Sequence, residues 1–524
     1  MLGGAGSNVF SLTGAAGAVL AGSGSDTITA SGTLDTVTAA GNALITASGG
    51  GQVINGSSSS SGSLILLATG TGDTVSAGSS SVSGSVNGSG ALIYGGFGSL
   101  TGALNLTAGG ANDTVNPGNS AATLRAAGGN DLIYGGYGSA PGALNVSLSG
   151  AGDTVNPGGS AAVVNAGGND NLIYGTYGSI AGGLAATLGG SADTVNAGLD
   201  PATVVASGGG ALIEGDYSVA GGGLNLSLSG GSDTINPGLS SATIFAAGND
   251  ALIQGSFVSG GGALNVWLSG AADTVNPGTD AATVQASGRG DLIYGTYGIA
   301  GAGLTVSIGG AADTVQPGNT PATVTAGTGG SGLWVWGGAG SLDFTGGPGT
   351  ATVVGGAGNV FAAGGTGSLV FIGGAESSTV VGGSGGTTLF GAASTDVTYS
   401  GTATGALFVA GTGNETLNAG ASATADTVIA GGGALTVTGG SGATDFVFYE
   451  NITAALGGGH VVIANFTASD AVNLSGYGGN DAARALAGAV SAGGNTSITL
   501  TDNTQITFLS VGSPGALAGH VFSV

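Results

Sequence analysis

The sequence predicts an all-β fold, an elongated β-solenoid of the β-roll or β-helix kind, with 40-residue two-coil repeats and a small C-terminal β-rich domain. Three observations carry this reading. An Asp-Thr-Val/Ile triplet begins at Asp73, Asp113, Asp153, Asp193, Asp233, Asp273 and Asp313, each step being 40 residues with no insertion or deletion. So regular a count over seven copies requires each unit to stack on the last, because a disordered tract has no reason to count. Each unit also holds short β-favouring runs separated by Gly, Asn, Ser or Pro, none long enough for a helical stripe. Finally, the chain has 118 glycines yet is 41% hydrophobic and only 6% charged. It can therefore bury apolar surface, which disordered chains cannot, provided its backbone turns often.

Residues 1–72 read as irregular N-terminal solenoid coils, with Asp26-Thr27-Ile28 and Asp35-Thr36-Val37 nine residues apart. Residues 73–332 are the seven-copy solenoid. One copy shows four runs: Asp153–Asn156, Ala162–Asn165, Leu172–Tyr174 and Leu184–Leu188. Asp113 to Asp131 and Leu144 to Ala162 are both 18 residues, so one 40-residue unit divides into coils of about 18 and 22. In Thr114-Val115-Asn116 the alternation sends Val into a narrow core, with Thr and Asn in outward ladders. The same register aligns Tyr94, Tyr134, Tyr174, Glu214, Gln254, Tyr294 and Trp334, a column read as structural stacking because Glu214 and Gln254 interrupt it. The Asp-Thr-Val/Ile aspartates read as corner residues held by Asx-turns.

From 333 to 444 the spacing of apolar runs shortens to nine or ten residues, a short-period, β-roll-like solenoid. Its Gly355-Gly356, Gly364-Gly365, Gly373-Gly374 and Gly382-Gly383 pairs are expected at corners with positive φ. Residues 445–524 break the repeats, with strands expected around Asp445–Tyr449, Val461–Phe466, Asp470–Leu474, Ile498–Leu500 and Gln505–Phe508, and a helix at Asp481–Val490.

Charge narrows the functional classes. The 27 acidic residues face only Arg125, Arg289 and Arg484, with no Lys, for a net charge of −24. Nucleic acids and anionic membranes, which need basic patches, are excluded as partners. A cation is favoured, and calcium is the usual extracellular one. The absence of Cys removes disulfides and thiolate metal sites. No apolar stretch approaches the roughly 18 residues of a spanning helix, so membrane insertion is not expected. Catalysis is not expected either. His460 and His520 are far apart in the chain with no acidic cluster beside them, Arg125 and Arg289 fall in non-equivalent repeat positions, and the aspartates are spread evenly.

Two segments carry a family resemblance. Gly22-Ser23-Gly24-Ser25-Asp26-Thr27-Ile28 and Gly128-Gly129-Asn130-Asp131-Leu132-Ile133-Tyr134-Gly135-Gly136-Tyr137-Gly138 resemble the repeats-in-toxin β-roll pattern, G-G-x-G-x-D-x-U-x. The resemblance implies calcium at glycine-rich corners, liganded by Asp26 and Asp131, and also by Asp170, Asp250 and Asp291. At the corresponding Asp position, Leu342, Val360 and Leu369 stand in the short-period stretch and Asn8 in the N-terminal copy. The implied calcium is therefore substoichiometric relative to the repeats. The order of strands and helix after residue 445 is similar to the C-terminal region of type I secreted bacterial proteins. Those keep an uncleaved C-terminal signal, in keeping with a start, Met1–Asn8, that lacks a basic n-region and an apolar h-region.

Taken together, the expectation is a non-enzymatic extracellular or cell-surface bacterial protein. It would self-assemble head to tail into a fibre, surface layer or biofilm matrix, assisted by calcium. The alternative is a monomeric adhesin or glycan-binding solenoid whose partner is a cell-surface or matrix polysaccharide, met through the Tyr and Thr/Asn columns.

Overall fold

The computed structural model describes all 524 residues except 60–61, 98–101, 139–140, 177–181, 259, 393–396, 401–404, 451–458 and 524. Met1–Val266 and Trp267–Val524 form two compact units.

In the first unit each turn of chain supplies one strand to each of two parallel sheets. Thr114–Gly118 and Leu132–Tyr134 lie in one sheet, while Ala122–Ala126 and Leu144–Leu148 lie in the other. Val115 pairs with Ile133 of the following coil, and Ile133 with Val155 of the one after. In the second sheet Leu124 pairs with Val146, and Val146 with Val164. Each repeat is thus one short coil and one longer coil, as the spacing predicts. The longer coil carries its additional residues in the loop between Tyr134 and Leu144.

Strict alternation turns one apolar residue inward on the three-residue strands and three on the five-residue strands of the other sheet. Ile133, Val155 and Val164 are fully buried, and Val115, Val146 and Leu148 are at most 2% exposed. The partners Asn145 and Val163 point out. Burying each such aliphatic side chain is worth about 1.5–3 kcal/mol, and the parallel ladder holds the rows in register so that each packs on its equivalent in the next coil. Thr114 and Asn116 flank Val115 as half-buried rather than free side chains.

The second unit, taken by itself, is wound in the same way. Thr274 pairs with Leu292 and Leu292 with Thr314, the same alternation of short and long coils. From Leu333 to Ser378 every step is the short one, as in Leu333↔Ala351↔Leu369 in one sheet and Leu342↔Val360↔Ser378 in the other. The nine-residue spacing of the sequence is therefore half a coil, with successive runs alternating between sheets. Phe344, Phe371 and Phe408 fill the core where Val and Ile serve in the longer repeats.

The glycine pairs of this stretch do not occupy positive φ, contrary to the expectation from their sequence pattern; none of Gly355, Gly356, Gly364, Gly365, Gly373, Gly374, Gly382 or Gly383 is left-handed. Steric stacking is the reason for them. A Cβ on Gly383 would stand 1.9 Å from the carbonyl oxygen of Gly365, and one on Gly356 would stand 2.3 Å from that of Gly338. The corner backbones of successive coils lie so close that no side chain fits between them.

After residue 444 the ladder persists. Thr444–Tyr449 and Ala471–Ser475 extend one sheet, and His460–Ala464 extends the other. Gln505–Phe508 and Val521–Ser523 then pair parallel with His460–Ile463 and Val472–Leu474. The helix is Asp481–Ala487, slightly shorter than expected, and Asn495–Thr499 forms antiparallel pairs with Val490–Ala492 and Gln505–Phe508. Phe466 packs edge-on against Phe508 with ring centres 5.0 Å apart. No helix among the described residues is long and apolar enough to cross a membrane.

Candidate functional site

Within each unit the Asp-Thr-Val/Ile aspartates are buried in a column along the edge of a sheet. Each lies immediately before the strand, with its side chain turned toward the preceding coil. Asp131 Oδ1 accepts the backbone N–H of Asp113 at 2.8 Å, and Asp153 Oδ1 accepts that of Asp131 at 2.9 Å. Asn171 Oδ1 then accepts the N–H of Asp153 at 3.1 Å, and Asp193 Oδ1 accepts that of Asn171 at 2.9 Å. In the second unit Asp291 accepts from Asp273 at 3.1 Å and Asp313 from Asp291 at 2.8 Å. The sequence pattern predicts that these aspartates hold their own corners as Asx-turns. Their partners lie 18 or 22 residues back instead, so the carboxylates tie one coil to the next.

Such carboxylates are costly to ionise. Asp113, Asp131, Asp153 and Asp291 are at most 1% exposed, and the Oδ2 atoms of Asp113, Asp131, Asp153, Asp291 and Asp313 are buried without a hydrogen-bond partner. Burial pushes the carboxyls of Asp73, Asp113, Asp153, Asp193, Asp233 and Asp313 up, opposed by backbone N–H groups. Asp131 is pushed up to about 7, first by burial and then by the charges of Asp113 and Asp153. Asp291 also reaches about 7, first by burial and then through Asp313 and Asp273. These two have a carboxylate on both sides in the column, at the ~4.8 Å spacing of adjacent strands.

The five residues that the repeats-in-toxin resemblance nominates for calcium are not brought together. Asp131 and Asp291 belong to the buried column, each in its own unit. Asp26 is buried in the other sheet, where its Oδ1 accepts the backbone N–H of Asn8 at 2.9 Å and the Asn8 amide at 2.7 Å. Asp170 and Asp250 are exposed and one residue earlier in the coil, at corners with φ of 58° and 61°. Asn130 holds the equivalent corner with φ of 60°, a conformation that Asn and Asp tolerate better than most residues. Calcium needs six or more oxygen ligands converging on one point. In the buried column Oδ1 of Asp131, Asp153 and Asp313 accepts a backbone N–H, while their Oδ2 atoms have no hydrogen-bond partner. Among the described residues no group of three or more His, Cys, Asp or Glu could hold a metal ion.

Sequence reasoning singled out one aromatic column and missed another. Tyr94, Tyr134, Tyr174 and Tyr294 are half-buried on the sheet, alternating with Asn116, Asn156, Asn196 and Gln316 on neighbouring strands. Three residues further on stand Phe97, Tyr137, Tyr217 and Phe257 in the first unit and Tyr297 in the second, all at least 56% exposed. Tyr177, at the same repeat position, lies outside the described residues. The signal was legible, since this register holds an aromatic residue at every 40-residue step from 97 to 297. The rings rest on glycines of the next coil: a Cβ on Gly118 would stand 3.0 Å from Phe97, one on Gly158 3.2 Å from Tyr137, and one on Gly318 3.3 Å from Tyr297.

His520 Nδ1 lies 3.1 Å from the Asp470 carbonyl oxygen and its ring packs edge-on against Phe466, while His460 is exposed at the start of its strand. The described groups of the buried column can accept backbone hydrogen bonds and take up protons, and the exposed rings can stack. Compared with models of protein families, with curated proteins and with solved structures, the chain matches none.

Proposed function

We propose that this protein is a non-enzymatic structural solenoid of the bacterial exterior, of repeats-in-toxin type and exported by a C-terminal signal, which associates with copies of itself into a matrix, layer or fibre. The observation that carries this reading is the use made of its acidic residues. The aspartates of the repeats accept backbone N–H groups of adjacent coils rather than gathering round a cleft. That is how a chain with almost no basic residues builds a regular scaffold.

Association through a sheet face is supported by an exposed apolar patch in the first unit. Leu44 and Ile65 face each other across adjacent strands, with Leu67 two residues on, and they are 47%, 53% and 43% exposed. Contiguous apolar residues on an open sheet face mark interaction surfaces. The test is electron microscopy with sedimentation of the purified chain, in calcium and after chelation, alongside a Leu44→Asp/Ile65→Asp variant. Assemblies in the wild type that the double variant lacks support the proposal, and their loss on chelation assigns calcium to assembly. A wild type that stays monomeric at every concentration, with or without calcium, overturns it.

A further inference from the structure

In the second unit the exposed ring of Tyr297 shares a groove with Trp336, which stacks on Trp334. Trp334 and Trp336 both point outward from the strand Leu333–Trp336, 44% and 45% exposed, with ring centres 5.8 Å apart and planes 18° from parallel. Trp336 and Tyr297 flank a groove of about 330 Å³ whose remaining lining is Gln316, Gly318, Gly337 and Gly338. The floor is bare backbone because it must be: a Cβ on Gly338 would stand 1.9 Å from the Gly318 carbonyl oxygen, and one on Gly318 would stand 2.2 Å from that of Thr296. The Tyr297 hydroxyl donates to Gln316 Oε1 at 3.2 Å, which fixes the carboxamide and leaves its NH2 end as a donor. Thr314 and Thr352 lie on either side of Trp334 on the neighbouring strands.

We infer that the Tyr297–Gln316–Trp336 groove is a binding subsite for a neutral polysaccharide. Three features select this ligand. An aromatic ring presents a negative face, which suits the polarised C–H face of a pyranose, and a groove between two rings with no side chains on its floor admits a flat ring. The amide of Gln316 answers the equatorial hydroxyls of a sugar, since polar groups at the edge of an apolar slot fix orientation. Charge removes the rival ligands: with three arginines and no lysine in the chain, phosphate, sulfate and nucleic acid lack a counter-charge.

A polymer rather than a free sugar is indicated by the first unit. There the same combination of ring, strand amide and glycine recurs as Tyr137, Asn156 and Gly158, and as Tyr217, Asn236 and Gly238. Exposed rings on every second coil are spaced by two strand separations, ~10 Å, a length comparable to a disaccharide of an extended glycan. The subsite stands whether or not the chain assembles with itself.

Two of the three tryptophans belong to this patch, so intrinsic fluorescence reads it directly. The full chain is titrated with cellohexaose, chitohexaose and maltohexaose and sedimented with insoluble cellulose, chitin and an uncharged galactan, in parallel with Trp336→Ala and Tyr297→Phe. The expected result is saturable binding of at least one glycan, with a blue shift of the tryptophan emission. Trp336→Ala should weaken it tenfold or more, and Tyr297→Phe, which keeps the ring but frees Gln316, only a few-fold. Both side chains are exposed, so circular dichroism should not change. Wild-type protein that binds none of the six glycans overturns the inference, as does binding that Trp336→Ala leaves intact. It is equally overturned if Trp336→Ala abolishes a concentration-dependent oligomer while no glycan binds, because the patch is then an interface between copies of the chain.

Discussion

Asp131 Oδ1 accepts the backbone N–H of Asp113 at 2.8 Å across the gap between two coils, while its own N–H is taken by the next carboxylate, Asp153, at 2.9 Å. The side chain that follows each corner thus closes a hydrogen bond that the strand ladder does not reach. The same contact stacks acidic groups of like charge inside the protein. Stability and charge are thereby linked, and the link can be measured.

The fold should be more stable in mild acid than at neutral pH. Asp131 and Asp291 titrate at about 7 in the folded chain, against 3.8 for the free side chain. Raised folded values mean that the folded state holds more protons. The contribution is therefore fully present below about pH 4, is lost as pH rises toward 7, and is constant above that. Together the two sites should cost on the order of several kcal/mol between pH 4 and 7.5. Urea denaturation at pH 4, 5.5, 7.5 and 9 checks this; a higher midpoint at pH 7.5 than at pH 4 would contradict it.

Asp131→Asn should stabilise the protein at pH 8 by about 1–2 kcal/mol and have little effect at pH 4–5. The chain already contains the precedent. Asn171 occupies the same column, accepts the N–H of Asp153, and donates its amide to Asp193 Oδ1 at 3.0 Å and to the Gly168 carbonyl at 2.7 Å. An amide at 131 can do the same toward Asp153 without adding charge. Melting curves of the variant and the wild type at the two pH values decide the matter. A variant less stable at pH 8 would mean that Asp131 is stabilised by a cation after all.

Glycines three residues apart should respond differently to alanine. Gly383→Ala places a methyl 1.9 Å from the Gly365 carbonyl oxygen, whereas Gly386→Ala has nothing within 4 Å. Neither position has positive φ, so conformational preference plays no part. Gly383→Ala should cost about 2–3 kcal/mol through displaced coils, and Gly386→Ala should be within about 0.5 kcal/mol of wild type. Denaturation midpoints that shift equally would remove the steric account of the glycine pairs.

In the repeats, Ile133→Ala should cost about 2–4 kcal/mol, because the side chain is fully buried between Val115 and Val155 and the stacked coils cannot close the cavity. Thr123→Ala, on an outward row of the other sheet, should be nearly neutral. Hydrogen exchange of the two variants is the sharper measurement. Loss of protection should centre on the coils that neighbour residue 133, as nearest-neighbour stacking requires.

The sequence by itself determined the architecture, because a solenoid repeats its instructions. The step from Asp113 to Asp131 and from Leu144 to Ala162 stated the coil lengths, and the alternation in Thr114-Val115-Asn116 stated which side chain is core. Even the runs after residue 445 lie within a few residues of their expected positions. What the sequence could not state is which coil each side chain faces. Asp131, Asp170 and Asp250 look alike as aspartates after glycine-rich corners, yet a shift of one residue buries the first in a column and leaves the other two at exposed left-handed corners. Likewise, Gly-Gly pairs have the same sequence whether they permit a positive φ or only clear a neighbouring backbone. Contact between coils decides both, and its partners lie a full coil away along the chain. The strand spacing in a parallel ladder leaves no room to adjust, so burial, charge and the need for glycine are settled by stacking rather than by local pattern.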